Sequence, residues 1–266
     1  MTERKASISQ ACRVAKIDRK TFRYESKRKK EDTMIKRLLL KLSGQYPRYG
    51  FVLLFNMIRN QGYCFNHKRV RRIYCELKLN LKIKPRKRLA PRTKVTLEEP
   101  KQVNECWSLD YMSDALMNGN KFRTANVIDD CNRGALGILA SSSLPSARIT
   151  RWLDRLAEKH GYPDRIRVDN GPENLSKHFQ QWAKGRNIKI QYIQPGKPAQ
   201  NAYIERFNRT YREAVLDMYV FKNIREVQDI TDDWLKHYNE ERPHMALNML
   251  TPSDFAKHLQ LNHSRC

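Results

Sequence analysis

Gln194-Pro-Gly-Lys-Pro-Ala-Gln-Asn-Ala-Tyr-Ile-Glu-Arg-Phe-Asn-Arg-Thr-Tyr-Arg212 is the run from which the rest of the chain can be read. Its Pro- and Gly-rich start predicts a turn. The residues that follow predict a helix with Glu205, Arg209 and Arg212 at i, i+4 and i+7 on one face. Ile204, Phe207, Tyr211, Ala214, Val215 and Met218 recur at spacings of three and four and form a second, apolar face suited to a core. One acid stacked on two bases suits a site that handles a metal ion and a phosphate. Lys197, in the preceding turn, adds a cation that can meet a nucleic-acid strand. Carboxylate partners for Glu205 have to come from elsewhere in the chain.

A length of 266 residues is ample for a hydrophobic core. The net charge is +24. Residues 1–100 hold 28 Lys and Arg against 8 Asp and Glu, a net +20, which leaves +4 for residues 101–266. A field of that sign attracts polyanions, and counterion release makes nucleic acid the expected partner. The six cysteines, at 12, 64, 75, 106, 131 and 266, form no C-x-x-C pair, which points away from a disulfide scaffold or a zinc ribbon. Cys64, His67 and Cys75 also lack paired ligand spacing, so no zinc is expected. The start Met1-Thr-Glu-Arg-Lys5 has no apolar targeting core, and no run approaches the roughly 18 apolar residues of a membrane span. A cytoplasmic protein with no membrane partner, nucleoid-associated when bound to DNA, is expected.

Residues 1–26 read as a helix-turn-helix segment: Ile8, Ala11, Cys12 and Ala15 form one stripe, Ile17-Asp18 breaks it, and a basic second helix follows. Residues 27–79 read as a basic helical DNA-binding region with helices over Met34–Leu42, over Phe51–Arg59 and from Asn66 onward. The last has Val70, Ile73, Leu77 and Leu79 as apolar positions among bases that include Arg69 and Arg72, a face suited to phosphates. Residues 80–100 form a basic linker. Lys84, Arg86, Lys87 and Arg88 lie within it beside two prolines, and no acid occurs over 80–97, so it is expected to track DNA as an extended tether.

From Asn104 the texture changes. Cys106–Met112, Arg123–Asp129 and Ala135–Ser141 are strand-like runs separated by Asn118-Gly-Asn120 and Asn132-Arg-Gly134 turns, which predicts an antiparallel meander. A helix from Pro145 to His160, a strand Arg165–Asp169, a helix around Phe179 and Trp182, and a strand Ile188–Ile193 lead into the opening stretch. The order βββαβαβα describes an α/β domain with a mixed sheet over 101–222. Residues 223–266 follow as a C-terminal helical extension.

Asp110 lies inside the first strand and Asp169 ends a later one, each interrupting apolar sequence. An unpaired carboxylate is costly to bury there, and a divalent cation removes that cost. With Glu205 they make three carboxylates on rigid elements, the set that two-metal phosphoryl transfer needs. Taken singly, each also fits a salt bridge or a cap. Asp129 and Asp130 are expected to serve the turn that follows them. Asp114, Glu173, Glu213 and Asp217 read as surface acids, and His244 as a residue of a polar loop, structural or DNA-facing.

Trp107-Ser-Leu-Asp110, Val168-Asp-Asn-Gly-Pro-Glu-Asn174 and the Gln194–Arg212 run together resemble the integrase core of bacterial insertion-sequence transposases, specifically the B subunit of two-reading-frame elements. Thirty-five residues separate Asp169 from Glu205, the D,D-35-E spacing of that family, and six separate Glu205 from Arg212, where the family places Lys or Arg. Tyr238-Asn-Glu-Glu-Arg-Pro-His-Met-Ala-Leu247 and Thr251–Ala256 resemble its carboxy-terminal signature, so the likeness covers roughly residues 40–257. It implies a ribonuclease-H-like mixed sheet flanked by helices, preceded by a small basic all-α region. It implies strand cleavage and transfer at element ends, with Asp110 bridging two Mg2+ ions and Asp169 and Glu205 each completing one. Mn2+ is expected to substitute. Arg212, one turn beyond Arg209, would hold terminal DNA. The implied partners are a second copy of the chain on DNA and an upstream-frame helix-turn-helix subunit. Phe51–Phe55 is apolar where relatives usually carry arginines, and Gly134 stands where a larger residue is common. A DNA-binding regulator with an inactive core and a non-transposing nuclease of the same fold are the competing readings.

Overall fold

The computed structural model describes residues 7–23, 28–82, 100–194 and 201–263. They divide into two units, Met1–Leu81 and Lys82–Cys266. In the first, α1 (Ile8–Val14) opens on a capping box between Ser7 and Gln10, and α2 (Arg19–Phe22) opens on Asp18. Helices α3 (Arg28–Gln45), α4 (Phe51–Asn60) and α5 (His67–Glu76) enclose Ile35, Leu39, Leu54, Ile58, Val70 and Ile73. Leu77 and Leu79 lie past the end of α5, because Lys78 adopts φ 55° and stops the helix. The apolar Phe51–Phe55 stretch is core: Phe51, Leu54 and Phe55 are buried, and the Arg71 guanidinium sits 4.8 Å over the Phe51 ring. His67 packs edge-on against Phe51 and Phe55.

Two bases expected to face phosphates have protein partners. Arg69 pairs with Glu31 and, at 2.6 Å, with Asp32; Arg72 reaches Asp32 at 2.7 Å and Glu76 at 2.6 Å. The pairs with Glu31 and Asp32 tie α5 to α3, and Lys68 and Arg71 remain on the exposed side of α5.

The second unit is built on β1 (Cys106–Ala115), β2 (Lys121–Asp129), β3 (Ala135–Ser141), β4 (Arg165–Val168) and β5 (Lys189–Tyr192), in the spatial order β3-β2-β1-β4-β5. β1, β2 and β3 pair antiparallel, whereas β4 and β5 run parallel to β1. Helix α6 (Ser146–His160) crosses from β3 to β4, and α7 (Pro172–Leu175) and α8 (Lys177–Gly185) cross from β4 to β5. Trp107, Leu109, Val127, Ile166 and Val168 point to one face, against Ile149, Leu153, Phe179 and Trp182. Phe122, Ile128, Ile138 and Ala140 point to the other, against Ile204, Phe207 and Tyr211 of α9 (Ala202–Tyr211) and Val227 and Tyr238 of α10 (Ile224–Glu240).

The segment read as a C-terminal extension closes the sheet. Gln228 of α10 donates to the Ile138 carbonyl and accepts from the Ala140 amide, and Asn239 makes the same pair of bonds with Ala135. These side-chain amides occupy the open edge of β3 as a neighbouring strand would. Helix α11 (Pro252–His263), which the apolar spacing did not suggest, starts where the Thr251 hydroxyl accepts the Asp254 amide. His244 is buried rather than DNA-facing; it packs edge-on against Tyr238 at 4.7 Å, and burial together with Arg242 pushes its imidazole down to about 3. At Gly134 an added Cβ would stand 2.8 Å from the Asn132 Oδ1 that accepts the Gly134 amide, which accounts for glycine there.

Candidate active site

Strand pleating decides which β1 residues form the site. Trp107 and Leu109 face the apolar layer, so Ser108 and Asp110 face the other side. β1 pairs with β4 through Ser108 and Arg167, and the same register carried two residues further sets Asp110 beside Asp169, which follows the last residue of β4. Glu205 lies in the first turn of α9, exposed, while Asp110 and Asp169 are half-buried. Burial first, then the charges of Asp169 and Glu205, push the Asp110 carboxyl up to about 6.

Each strand aspartate has one oxygen fixed by protein donors. Asp110 Oδ2 accepts from Asn208 Nδ2 at 2.7 Å, and Asn208 Oδ1 accepts from Asn126 Nδ2 at 2.6 Å. Asn126 is fully buried on β2 opposite Asp110, so this amide chain joins α9 to β1 and β2. Asp169 Oδ1 accepts from the Gly171 amide at 3.1 Å and from Asn174 Nδ2 at 2.7 Å. A Cβ on Gly171 would lie 3.0 Å from that oxygen. None of these three asparagines stands out in the sequence as a site residue. The available signals were Asn126, polar between Ala125 and Val127, and Asn208, three residues after Glu205 and so near it on the helix.

Deeper on the same face, Arg167 and Asp130 are both buried and pair at 2.5 Å, with Ser108 donating to Asp130 at 2.7 Å. Asp129 accepts from the amides of Asn104 and Cys131. Asp114, expected at the surface, pairs with Arg212, whose other guanidinium nitrogen donates to the Ser113 carbonyl, both at 3.1 Å. Arg209 is exposed and makes no ion pair with a described residue. Arg212 begins a π-helical turn, Arg212–Leu216, that brings Val215 and Leu216 together into the core and leaves Met218 exposed, where an unbroken helix had it buried. Lys197, Lys84, Arg86, Lys87 and Arg88 lie outside the described residues.

Among the described residues no group of three or more His, Cys, Asp or Glu side chains stands in an arrangement that could hold a metal ion. The donor set nevertheless fits a hard divalent cation. Three carboxylates supply only oxygen ligands, their mutual repulsion is what a cation relieves, and Asp169 Oδ2 accepts no hydrogen bond from a described residue.

A five-stranded sheet with three antiparallel strands, two parallel ones and helices on both faces is ribonuclease-H-like, and acids at the β1–β4 junction give it the layout of a polynucleotidyl transferase. The integrase core domain family matches residues 100–198 and 186–252. A 31.7 kDa protein of insertion element IS407 from Burkholderia multivorans is 35% identical over 254 residues, covering 95% of this chain and 92% of that protein. A 39.2 kDa protein of insertion element IS476 from Xanthomonas euvesicatoria is 33% identical over 252 residues, covering 94% and 72%. In fold, the chain is similar to one in a simian T-cell lymphotropic virus intasome, with a TM-score of 0.50 at 16% identity over 82% of this chain and 74% of that one. The chain belongs to the integrase-core family of insertion-element transposases. Among the described residues no helix is long and apolar enough to cross a membrane.

Proposed function

We propose that the chain carries out metal-dependent strand cleavage and strand transfer at the ends of an insertion sequence, with Asp110, Asp169 and Glu205 as its catalytic acids. The observation that carries this reading is the convergence of three carboxylates: the β1–β4 register sets Asp110 beside Asp169, and the charges of Asp169 and Glu205 add to the burial that pushes the Asp110 carboxyl up to about 6. Asp110, Asp169 and Glu205 would together hold two divalent cations; Mg2+ is the expected ion and Mn2+ its substitute. When bound, such ions neutralise the phosphodiester and activate the attacking and leaving oxygens. Asn208 and Asn174 orient the two aspartates. Arg209, on the helix face that carries Glu205, is placed to hold a phosphate. Arg212 is shared with Asp114 and would contribute less.

The basic first hundred residues would hold double-stranded DNA mainly through its phosphates, in a manner that weakens steeply with salt. Joining two element ends calls for more than one copy of the chain on DNA, and an upstream-frame helix-turn-helix subunit is a further proposed partner. The test is a terminal-repeat duplex, labelled at the 5′ end of the strand whose 3′ end cleavage would expose, incubated with protein, Mg2+ and an unlabelled target duplex. Both nicked ends and label joined to target are expected. Cut ends without joining would favour the nuclease, and binding without cutting the regulator.

A further inference from the structure

Asp169 follows the end of β4, where strand pairing no longer fixes its side chain. The terminal torsion of an aspartate is broad, so the direction of its oxygens has to be set by neighbours. Asn174 sets it. The side chain is fully buried, Nδ2 lies 2.7 Å from Asp169 Oδ1, and the backbone carbonyl accepts from the Tyr192 hydroxyl at 3.0 Å. Asn174 Oδ1 in turn accepts from the Tyr111 hydroxyl at 3.0 Å, which fixes the amide with its NH2 toward the carboxylate. Tyr111 is itself held, with the Arg123 guanidinium 5.2 Å over its ring and that same guanidinium paired with Glu173 of α7. Asp169 Oδ1 is thus occupied by Asn174 and Gly171, and Oδ2 is the oxygen left to a ligand.

We infer that Tyr111 and Asn174 are positioning residues for Asp169, a role that rests on the proposed reading of Asp169 as a cation ligand. Tyr111 directly follows Asp110 on β1. One strand therefore presents Asp110 on one face and orients Asp169 from the other through the Tyr111–Asn174 bond. The arrangement ties the orientation of one aspartate to the strand that carries the other.

The test titrates Mn2+ alone into the metal-free full-length protein and follows binding by calorimetry, with thermal unfolding measured in parallel without metal. Losing an orienting outer residue typically weakens a metal site by about 10–100-fold, the expectation for Asn174→Ala, with several-fold weakening for Tyr111→Phe. Because Tyr111 acts through Asn174, the double variant should bind no worse than Asn174→Ala alone. Tyr111→Phe should unfold within about 3 °C of the wild type, since it loses a single hydrogen bond. Wild-type Mn2+ affinity in both single variants, or effects that add in the double variant, would overturn the inference. If Asn174→Ala does not fold, Tyr111→Phe alone decides. Asp169→Asn separates the two claims: if it binds Mn2+ as the wild type does, the reading of Asp169 as a ligand fails. If it binds poorly while the other variants bind normally, only the positioning role fails.

Discussion

On one face of the central sheet Trp107, Leu109, Val127, Ile166 and Val168 form an apolar layer with α6 and α8; on the other, Ser108, Asp110, Asn126 and Arg167 stand among the apolar residues of the same strands. A single step along β1, from Leu109 to Asp110, separates the two environments. The apolar face supplies stability by burial, which lets the opposite face hold a buried ion pair, a chain of amides and three like charges. Asp110 and Asp169 are held by bonds to neighbouring elements rather than by packing, so changes at these two acids should act first on chemistry and ion binding, whereas loss of the buried ion pair or of the apolar layer should act on folding.

The largest effect expected is on that chemistry. Asp110→Asn, Asp169→Asn and Glu205→Gln should each lower cleavage by about 10³-fold or more. In gel-shift titrations DNA binding should stay within about twofold of wild type, because phosphate contacts dominate affinity. Full activity of any of the three in Mg2+ would remove that residue from the site. Next come two stability changes from opposite faces, read by denaturant unfolding. Arg167→Met strands the buried Asp130 charge and should cost about 3–5 kcal/mol, most of it recovered by Asp130→Asn in the same chain. Leu109→Ala should cost about 2–5 kcal/mol through the cavity it leaves, with no such rescue.

Proton linkage gives a smaller effect of defined sign. The Asp110 carboxyl lies at about 6 in the fold and 3.8 ordinarily, so the folded state holds this proton more tightly than the unfolded chain. The contribution of this group to stability without metal is therefore present at low pH and lost as pH rises from 3.8 through 6. Asp129, also pushed up to about 6 by burial, acts in the same direction. Mn2+ affinity runs the opposite way and weakens below about 6, where the proton competes. Thermal unfolding at pH 5 and 7.5, with and without Mn2+, checks both signs, and Asp110→Asn should abolish the difference that Mn2+ makes. The smallest effect is expected at Arg209, where alanine should reduce the salt dependence of DNA binding by about one counterion and leave cleavage of bound DNA nearly unchanged.

The meander, the crossover helices and the neighbourhood of the acids were legible because they rest on local signals: alternation in β1–β3, three-and-four spacing in α6, α8 and α9, and two short motifs around Asp110 and Asp169. What escaped depends on partners far away in sequence. Asn208 and Asn174 matter through Asp110, Asn126 and Tyr111, and nothing next to either residue names those partners. Arg69 and Arg72 read as part of a face suited to phosphates, and their partners Glu31 and Asp32 lie more than thirty positions away. His244 sits in a polar run, yet the fold places it against Tyr238. The π-turn after Tyr211 has no periodic signature, and α11 was signalled only by Thr251 and Asp254 at its start.

On the proposed function, the polar face of the sheet is a divalent-cation site built on Asp110. Calorimetric titration of Mn2+ into the metal-free protein at pH 7.5, wild type beside Asp110→Asn, tests it most directly. Saturable binding by the wild type that is lost in the variant is the result predicted. Binding of unchanged stoichiometry and affinity in Asp110→Asn would contradict it.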